Sequence, residues 1–232
     1  DLWWQQQLDP TLSLVMPHAV RCAQDNLYGM HVYSRLPLND IEVTYLVEDN
    51  VPSIHAGIRL RSGDCVRAHF LHPAPPSPTE NDESSQRDAE LVIVARRVAL
   101  ERNLPVIVSG DLNDVAWSAT TQLFIKVSGL LDPRIGRGMF NTYHAKIPFL
   151  RWPLDHLFHS EHFTLHRIDR LALPGSDHFA LYTELYLNPA RRDEQDGERP
   201  DEDERAWAQR IADKEDVSRN DVPKTSTAKA AE

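Results

Sequence analysis

The chain has 232 residues, of which 41% are hydrophobic and 26% are charged, and its formal net charge at pH 7 is −10. Such a composition is typical of a globular domain, and no apolar run approaches the roughly 20 residues that span a bilayer. Proteins that bind a phosphate backbone tightly normally show a basic face, so the acidic balance disfavours a processive nucleic-acid binder and leaves open only a local basic cleft.

The first half of the chain predicts strands followed by two helices. A prolonged turn around Pro73, Pro75, Pro76 and Pro78 separates the strands from a helix over residues 84–102, whose apolar side chains recur at the spacing of one buried helix face. A buried strand at 104–109 and a helix at 118–127 follow. The predicted strands before the turn are 19–22, 28–36, 41–48, 53–60 and 65–72.

The second half predicts three further strands, at 154–160, 162–173 and 179–187. Many strands with few helices indicate an α+β fold in which two mostly antiparallel sheets pack face to face with helices outside. We expect one domain over residues 1–188. From residue 189 to 232 the composition becomes highly charged, which predicts an acidic, largely disordered tail with a short helix near 201–216.

The two cysteines, Cys22 and Cys65, do not have the spacing of metal ligands. Both lie in predicted strands. Two buried thiols are the simpler interpretation, and a disulfide in an oxidising compartment is the alternative.

Four short polar segments stand at the ends of predicted strands, where a rigid scaffold presents side chains to a cleft. The segments are HPAPP from residue 72, GDLN from 110, LDH from 154 and SDH from 176. Carboxylates, an amide and imidazoles together suit phosphoester hydrolysis, which needs an aligned water, neutralised phosphoryl charge and a stabilised leaving oxygen. A strand-to-helix turn would also explain GDLN taken alone.

In this order the segments resemble those of the endonuclease/exonuclease/phosphatase superfamily, the DNase I-like fold. The similarity extends over YGMHVYSRLPL, HPAPP, SGDLNDVAWS, NTYH, PLDHLFHS and GSDHFALYTEL, from about residue 1 to residue 187. Within the superfamily the chain is most similar to bacterial members with an N-terminal membrane anchor, the teichoplanin-resistance (VanJ-like) group.

The resemblance implies a catalytic role for Asp111, His178, Asp155 and His72. Asp111 would prepare the attacking water, His178 would donate to the phosphoryl group, and Asp155 would orient His178. Asn113, His72 and Thr142 would contact the substrate, although packing is the simpler interpretation for Thr142. Asp177 and Asp111 would hold Mg²⁺, or Mn²⁺ in its place, since these are hard oxygen ligands.

Other polar residues leave alternatives open. Arg134 and Arg137 either bind the phosphate of a leaving group or are solvated. His69 and His72 are three apart on a strand and so face opposite sides, which argues against their chelating one ion.

At its N-terminus the sequence departs from the pattern of the family. Family members place the main metal ligand, a Glu, on a strand just before the helix that residues 1–8 resemble, so the corresponding Glu would lie upstream of Asp1 and is absent from this sequence. We therefore expect the sequence to be truncated at its N-terminus, the first strands to be missing, and the metal site to be incomplete.

The leading hypothesis is a Mg²⁺-dependent phosphoesterase that acts on a phosphomonoester, phosphodiester or pyrophosphate bond by in-line attack of water. The anchored relatives favour a lipid-linked phosphate, attachment to a bacterial membrane through an upstream segment, and an extracytoplasmic location. The alternatives are a DNA or RNA nuclease, and a non-catalytic interaction module with a degenerate metal site.

Overall fold

In the computed structural model, residues 1–75 and 84–225 are described. The helices are α1 Leu2–Leu12, α2 Ser85–Val98, α3 Ala119–Ser128 and α4 Glu202–Lys214, with a 3₁₀ helix at Pro189–Glu194. The strands are β1 His18–Cys22, β2 Met30–Ser34, β3 Leu38–Thr44, β4 Ser53–Arg59, β5 Cys65–Phe70, β6 Val106–Asp111, β7 Asp155–His159, β8 Phe163–Ala172 and β9 Phe179–Leu187.

These elements agree with the sequence predictions in type and order, and their ends differ by a few residues. The largest differences are at α2, which ends at Val98 rather than at 102, and at β3, which is Leu38–Thr44 rather than 41–48. The predicted proline-rich turn lies partly outside the described residues.

The strands form sheets within an α+β fold, as predicted, but in a different grouping. The central sheet has five strands in the order β3-β4-β5-β6-β7, and β1-β2 and β8-β9 are separate two-stranded sheets. All pairs are antiparallel except β5 with β6, which α2 connects. Three hydrogen-bonded sheets therefore replace the predicted two among the described residues. Hydrogen bonding between hairpins is a tertiary property that strand patterns do not encode.

The hydrophobic core lies between the central sheet and the helices. Val106, Val108 and Phe158 from the sheet pack with Leu91 and Phe124 from α2 and α3, and all five are buried. Ser118 caps α3 by accepting a hydrogen bond from Thr121 N–H, and Gly129 ends it in the left-handed conformation. The helices are thus fixed on one face of the sheet, which holds the ends of β5, β6 and β7 rigidly.

The C-terminal segment differs from the expected disordered tail over its described part. The helix predicted near 201–216 is present as α4, but it packs against α2 and α3 instead of being solvated. Ala208, Ala212 and Val222 belong to the hydrophobic core, and Trp207 and Ile211 pack against it. Because charged residues dominate this segment, its sequence did not indicate the narrow apolar stripe that gives α4 a buried face.

No helix within the described residues is both long and apolar enough to cross a membrane. Cys22 and Cys65 are free, and both are half-buried rather than fully buried.

Candidate active site

The ends of three neighbouring strands bring the predicted polar residues together. Asp111 is the last residue of β6 and pairs in register with Asp155, the first residue of β7. His72 follows β5, the parallel neighbour of β6, and so leaves the sheet at the same edge. His178 directly precedes β9. Four residues that are far apart in sequence therefore lie close together.

Gly110 permits this arrangement because the backbone of β6 passes very close to that of Leu71. A Cβ at Gly110 would lie 1.8 Å from the Leu71 carbonyl oxygen, and φ at this residue is +153°. Only glycine accepts both conditions without displacing a neighbour. The glycine of the GDLN segment thereby sets the spacing between His72 and Asp111.

The side chains form an acid–imidazole chain. The distance from His178 Nδ1 to Asp155 Oδ2 is 2.7 Å, that of a charge-assisted hydrogen bond. On its other side, His178 Nε2 lies 3.7 Å from Asp111 Oδ2, and His72 Nε2 lies 4.0 Å from the same oxygen. Both of these distances exceed a hydrogen bond, and within residues 1–75 and 84–225 no donor bonds to Asp111 Oδ2, so this oxygen can engage a ligand lying between the two rings.

Burial and charge shift the pKa values of these groups. Burial raises the pKa of Asp111, and the negative charge of Asp155 raises it further. Burial alone would lower the pKa of His178, but the hydrogen bond and charge of Asp155 outweigh it, so this pKa lies above its usual value. Burial lowers the pKa of His72, although Asp111 opposes the change. His178 is therefore the ring that is favoured in the protonated form.

Asn113, predicted to bind substrate, closes the turn beside the site. Its backbone N–H donates to Asp111 Oδ1 at 3.0 Å, and its side-chain Nδ2 donates to the Pro73 carbonyl at 3.0 Å. Its φ of +49° lies in the left-handed region, which asparagine tolerates better than most residues. Among the described residues, the second amide N–H of this side chain has no acceptor and can bind an oxygen of a ligand.

Thr142, also predicted to bind substrate, is fully buried. Its hydroxyl accepts a hydrogen bond of 3.2 Å from the Asp155 N–H. Thr142 therefore packs beneath Asp155, which agrees with the simpler interpretation of the sequence.

Asp177, a predicted metal ligand, is exposed and lies next to His178 in the chain. Its backbone carbonyl accepts a hydrogen bond from Ala145 N–H. Among the described residues, Asp111, Asp155 and His178 form the one group whose potential ligand atoms all lie within 4.8 Å of one another. The role of Asp177 as a ligand stays a prediction.

Asp1 caps α1. The further Glu ligand is expected upstream of this residue. Its Oδ1 accepts a hydrogen bond of 2.9 Å from Trp4 N–H, and this satisfies one of the free donors in the first helical turn. The side chain is exposed and does not belong to the group of potential ligands formed by Asp111, Asp155 and His178. The helix that residues 1–8 resemble is therefore present as α1, whereas a Glu ligand upstream of Asp1 and the truncation stay predictions.

Two aromatic residues contact the imidazole rings of the site, and the sequence did not predict either contact. The Tyr143 ring lies 4.8 Å from the His178 ring, and the Tyr28 ring meets the His72 ring edge-on at 5.5 Å between centroids. The TYH and LYG segments offered only the presence of an aromatic residue as a signal. The contacts depend on the tertiary structure.

A buried network supports the loop that carries Asn113. Arg87 from α2 donates to the Asn113 carbonyl at 2.8 Å and lies 3.6 Å from the Asp114 carboxylate. Asp114 is buried and also accepts a hydrogen bond from the Thr121 hydroxyl. Helix α2 is thereby tied to the active-site loop through charged groups that the sequence did not identify.

Arg134 is neither solvated nor free to bind a leaving group. It is buried, pairs with Asp132 at 2.8 Å, and donates to His156 Nδ1 at 2.6 Å. Arg137 donates to carbonyls of its own loop. His69 lies on the opposite side from the site, where its Nδ1 is 2.7 Å from that of His55, in accord with the predicted separation of His69 and His72.

Comparison with known proteins agrees with this geometry. The model of the endonuclease/exonuclease/phosphatase family matches residues 1–178. The chain belongs to this family. The family comprises hydrolases that cleave phosphoester bonds, nucleases and phosphatases among them, and its members typically depend on a divalent metal.

Solved structures show the same fold at low sequence identity. The human Nocturnin catalytic domain has a TM-score of 0.62 and 15% identity, over 80% of this chain and 77% of that one. A mannosyl-6-phosphatase from Bacteroides thetaiotaomicron has a TM-score of 0.55 and 16% identity, over 78% and 82%. A Neisseria 3′ phosphatase, solved with a product DNA hairpin, has a TM-score of 0.60 and 18% identity, over 80% and 94%. No curated protein matches the chain by sequence.

Proposed function

We propose that the protein is a divalent-metal-dependent phosphoesterase that acts on an amphipathic, lipid-linked phosphate or pyrophosphate through in-line attack of water. The observation that carries the hydrolytic part is the convergence of Asp111, Asp155 and His178 in a protein of this family.

The donor set fits a hard divalent cation. Two partly buried carboxylates lie side by side, and their mutual repulsion contributes to the raised pKa of Asp111. A cation between them would relieve this repulsion, and carboxylate oxygens are the ligands that Mg²⁺ and Mn²⁺ prefer. Asp111 and Asp155 would hold the ion, with Asp177 as the further ligand expected from the sequence. When bound, such an ion supplies charge neutralisation at the phosphoryl oxygens.

The protein's own groups would move the protons. Asp111 Oδ2 lies between the two imidazoles and would accept a proton from the attacking water. His178, held through Nδ1 by Asp155, would donate from Nε2 to a phosphoryl oxygen. The free N–H of Asn113 would bind another oxygen of the same group. These donors are already fixed before substrate arrives, as catalysis by electrostatic stabilisation requires.

Exposed apolar side chains beside the pocket favour an amphipathic substrate. We call this set the apolar rim: Trp117, Ile135, Met139, Phe149, Leu150 and Trp152. Trp117 and Trp152 pack together at 6.1 Å between ring centroids, and Trp117 lines a cavity of about 450 Å³ with Ile135 and Met139. Trp152 is three residues from Asp155, and Tyr143, which contacts His178, donates its N–H to the Trp152 carbonyl.

A hydrogen-bonded turn presents the most exposed member of the rim. Leu150 N–H donates to the Ile147 carbonyl, which leaves Phe149 at the tip with 93% of its surface exposed. Residues 133–153 contain four Lys and Arg, of which Arg134 is buried, and no Asp or Glu, in a protein of net charge −10. Apolar tips flanked by cations are typical of surfaces that lie on anionic lipid. This feature supports the membrane location expected from the anchored relatives, although the nearby carboxylate of Asp177 opposes it.

The decisive experiment measures phosphate release from a polyprenyl pyrophosphate in mixed micelles with Mg²⁺ or Mn²⁺. We expect activity that EDTA abolishes and that falls by orders of magnitude in Asp111→Asn and His178→Ala, with unchanged folding. His166→Ala, an exposed histidine outside the site, is the matched control and should retain full activity. Equal activity in all three variants would exclude this site as the catalyst.

A second measurement tests the rim. Phe149→Ser should raise KM for the micellar substrate and leave hydrolysis of a small soluble phosphate ester unchanged. Leu14→Ser removes a similarly exposed apolar side chain elsewhere and should alter neither. If Phe149→Ser had no effect on KM, the lipid-linked part of the proposal would fail while the hydrolytic part stood.

The likeness to the Neisseria 3′ phosphatase motivates the nuclease alternative. Salt-dependent retention on DNA with nicking of plasmid, and no release from the lipid substrate, would favour it. An absence of hydrolysis on every class of phosphoester would favour a non-catalytic module and would refute the proposed function.

A further inference from the structure

A second concave surface is lined by arginines and shares no residue with the catalytic pocket. It lies where the C-terminal ends of α2 and α3 meet α4, and its cavity volume is about 530 Å³. We call it the arginine pocket, after its five charged lining residues: Arg96, Arg102, Arg199, Arg205 and Arg219.

No carboxylate lines the pocket, although the charge of Asp213 outside it acts on Arg96. Asp and Glu are absent from its lining, although the protein as a whole carries 35 acidic residues against 25 basic ones. Within the described part of the chain, Arg199 alone of the five has an ion-pair partner, Asp196 at 4.0 Å. Burial lowers the pKa of Arg96 and the charge of Arg219 lowers it further, against the opposing charge of Asp213. Five cations around one cavity repel one another unless an anion joins them.

Helix capping explains only part of the set. Arg96 lies in the last turn of α2, where a cation complements the helix dipole. Arg205 lies near the beginning of α4, where the dipole disfavours a cation. Arg97 lies outside the pocket and has a structural role, since it donates hydrogen bonds to the Val222 and Arg219 carbonyls. Among described residues, the side chains of Arg96, Arg102 and Arg205 make no such hydrogen bonds.

The remaining lining suggests the shape of the ligand. Ala99, Leu100, Val127 and Pro200 contribute apolar surface next to the guanidinium groups. Arginine's planar donor fork matches phosphate oxygens in pairs. The cavity volume of about 530 Å³ lies within the range for small-molecule sites.

We propose that the arginine pocket binds a small molecule that carries a chain of phosphate groups. Several cations around one cavity favour a ligand with several negative charges, which a polyphosphate chain supplies. The apolar lining offers room for an attached flat group, as in a nucleoside triphosphate. The inference is independent of the proposed function because the two sites have no residue in common.

Calorimetric titration in EDTA at constant ionic strength tests the proposal, with inorganic tripolyphosphate and ATP as separate probes. The test variant is Arg199→Gln/Arg205→Gln, since both side chains are exposed and should tolerate the change. The control is Arg210→Gln, which removes one positive charge from an exposed position of α4 outside the pocket. We expect one bound polyphosphate per chain, an affinity at least tenfold lower in the double variant, and less than a twofold change in Arg210→Gln.

The two probes separate the sources of the phosphate chain. ATP binding more tightly than tripolyphosphate would identify a nucleotide, and equal affinities would identify the phosphate chain alone. The absence of binding by either probe, or equal losses in the double variant and in Arg210→Gln, would overturn the proposal. So would loss of binding in Asp111→Asn/His178→Ala, because the probe would then occupy the catalytic pocket.

Discussion

Glu90 should make the stability of this protein fall as the pH rises. The side chain lies on α2, is buried, and accepts a hydrogen bond from the Ser53 hydroxyl. Burial raises its pKa from 4.5 to about 7, against the lowering effect of that hydrogen bond. The substitution Glu90→Gln keeps the shape and the acceptor oxygen but removes the titration.

The size of the effect follows from the two pKa values. Between pH 4.5 and pH 7 the folded protein holds a proton that the unfolded chain releases, so this group lowers stability as the pH rises and has no further effect above 7. The gap corresponds to about 3 kcal/mol at 1.36 kcal/mol per pKa unit. Glu90→Gln should therefore gain about 3 kcal/mol relative to wild type between pH 4.5 and pH 8.

Urea unfolding of both proteins at a series of pH values measures the difference directly. Buried His55 and His156, whose pKa values are lowered to about 3, give stability that is lost as pH falls below 6.5, but they act equally in both proteins. Glu198→Gln, at an exposed position, is the control and should parallel wild type. A constant difference between Glu90→Gln and wild type at pH 5 and pH 8 would refute the assigned cause.

Three other changes probe the site and the fold. Asp155→Asn removes the charge that raises the pKa of His178, so the alkaline limb of the pH–rate profile should move to lower pH, and an unmoved limb would exclude His178 as the acid. Gly110→Ala should cost more than about 2 kcal/mol of unfolding free energy because its Cβ meets Leu71 O, whereas Gly136→Ala, in open space at positive φ, should cost about 1 kcal/mol by thermal unfolding. Ala212→Asp places a charge in the core under α4 and should lower the midpoint of unfolding by several degrees, and an unchanged midpoint would mean that α4 is not docked.

The candidate site was largely predictable because its parts are local. Each polar segment follows or precedes a strand, and strand ends are legible from runs of β-branched and apolar residues such as those before Asp111. The sequence did not predict which groups support the catalytic side chains. Thr142 under Asp155, Tyr143 against His178 and Arg87 on the Asn113 carbonyl are contacts between residues separated by 13 or more positions. No periodic pattern records such pairs.

The sequence by itself determined the type and order of the helices and strands and the ordered set of polar segments, because backbone propensity and hydrophobic period act over a few residues. Only the tertiary structure decided how the strands divide into sheets, that α4 docks on α2 and α3, and that five arginines converge on one pocket. These features depend on burying weak apolar stripes and on charges brought together from distant segments. The free energy of these contacts is gained only when the chain folds.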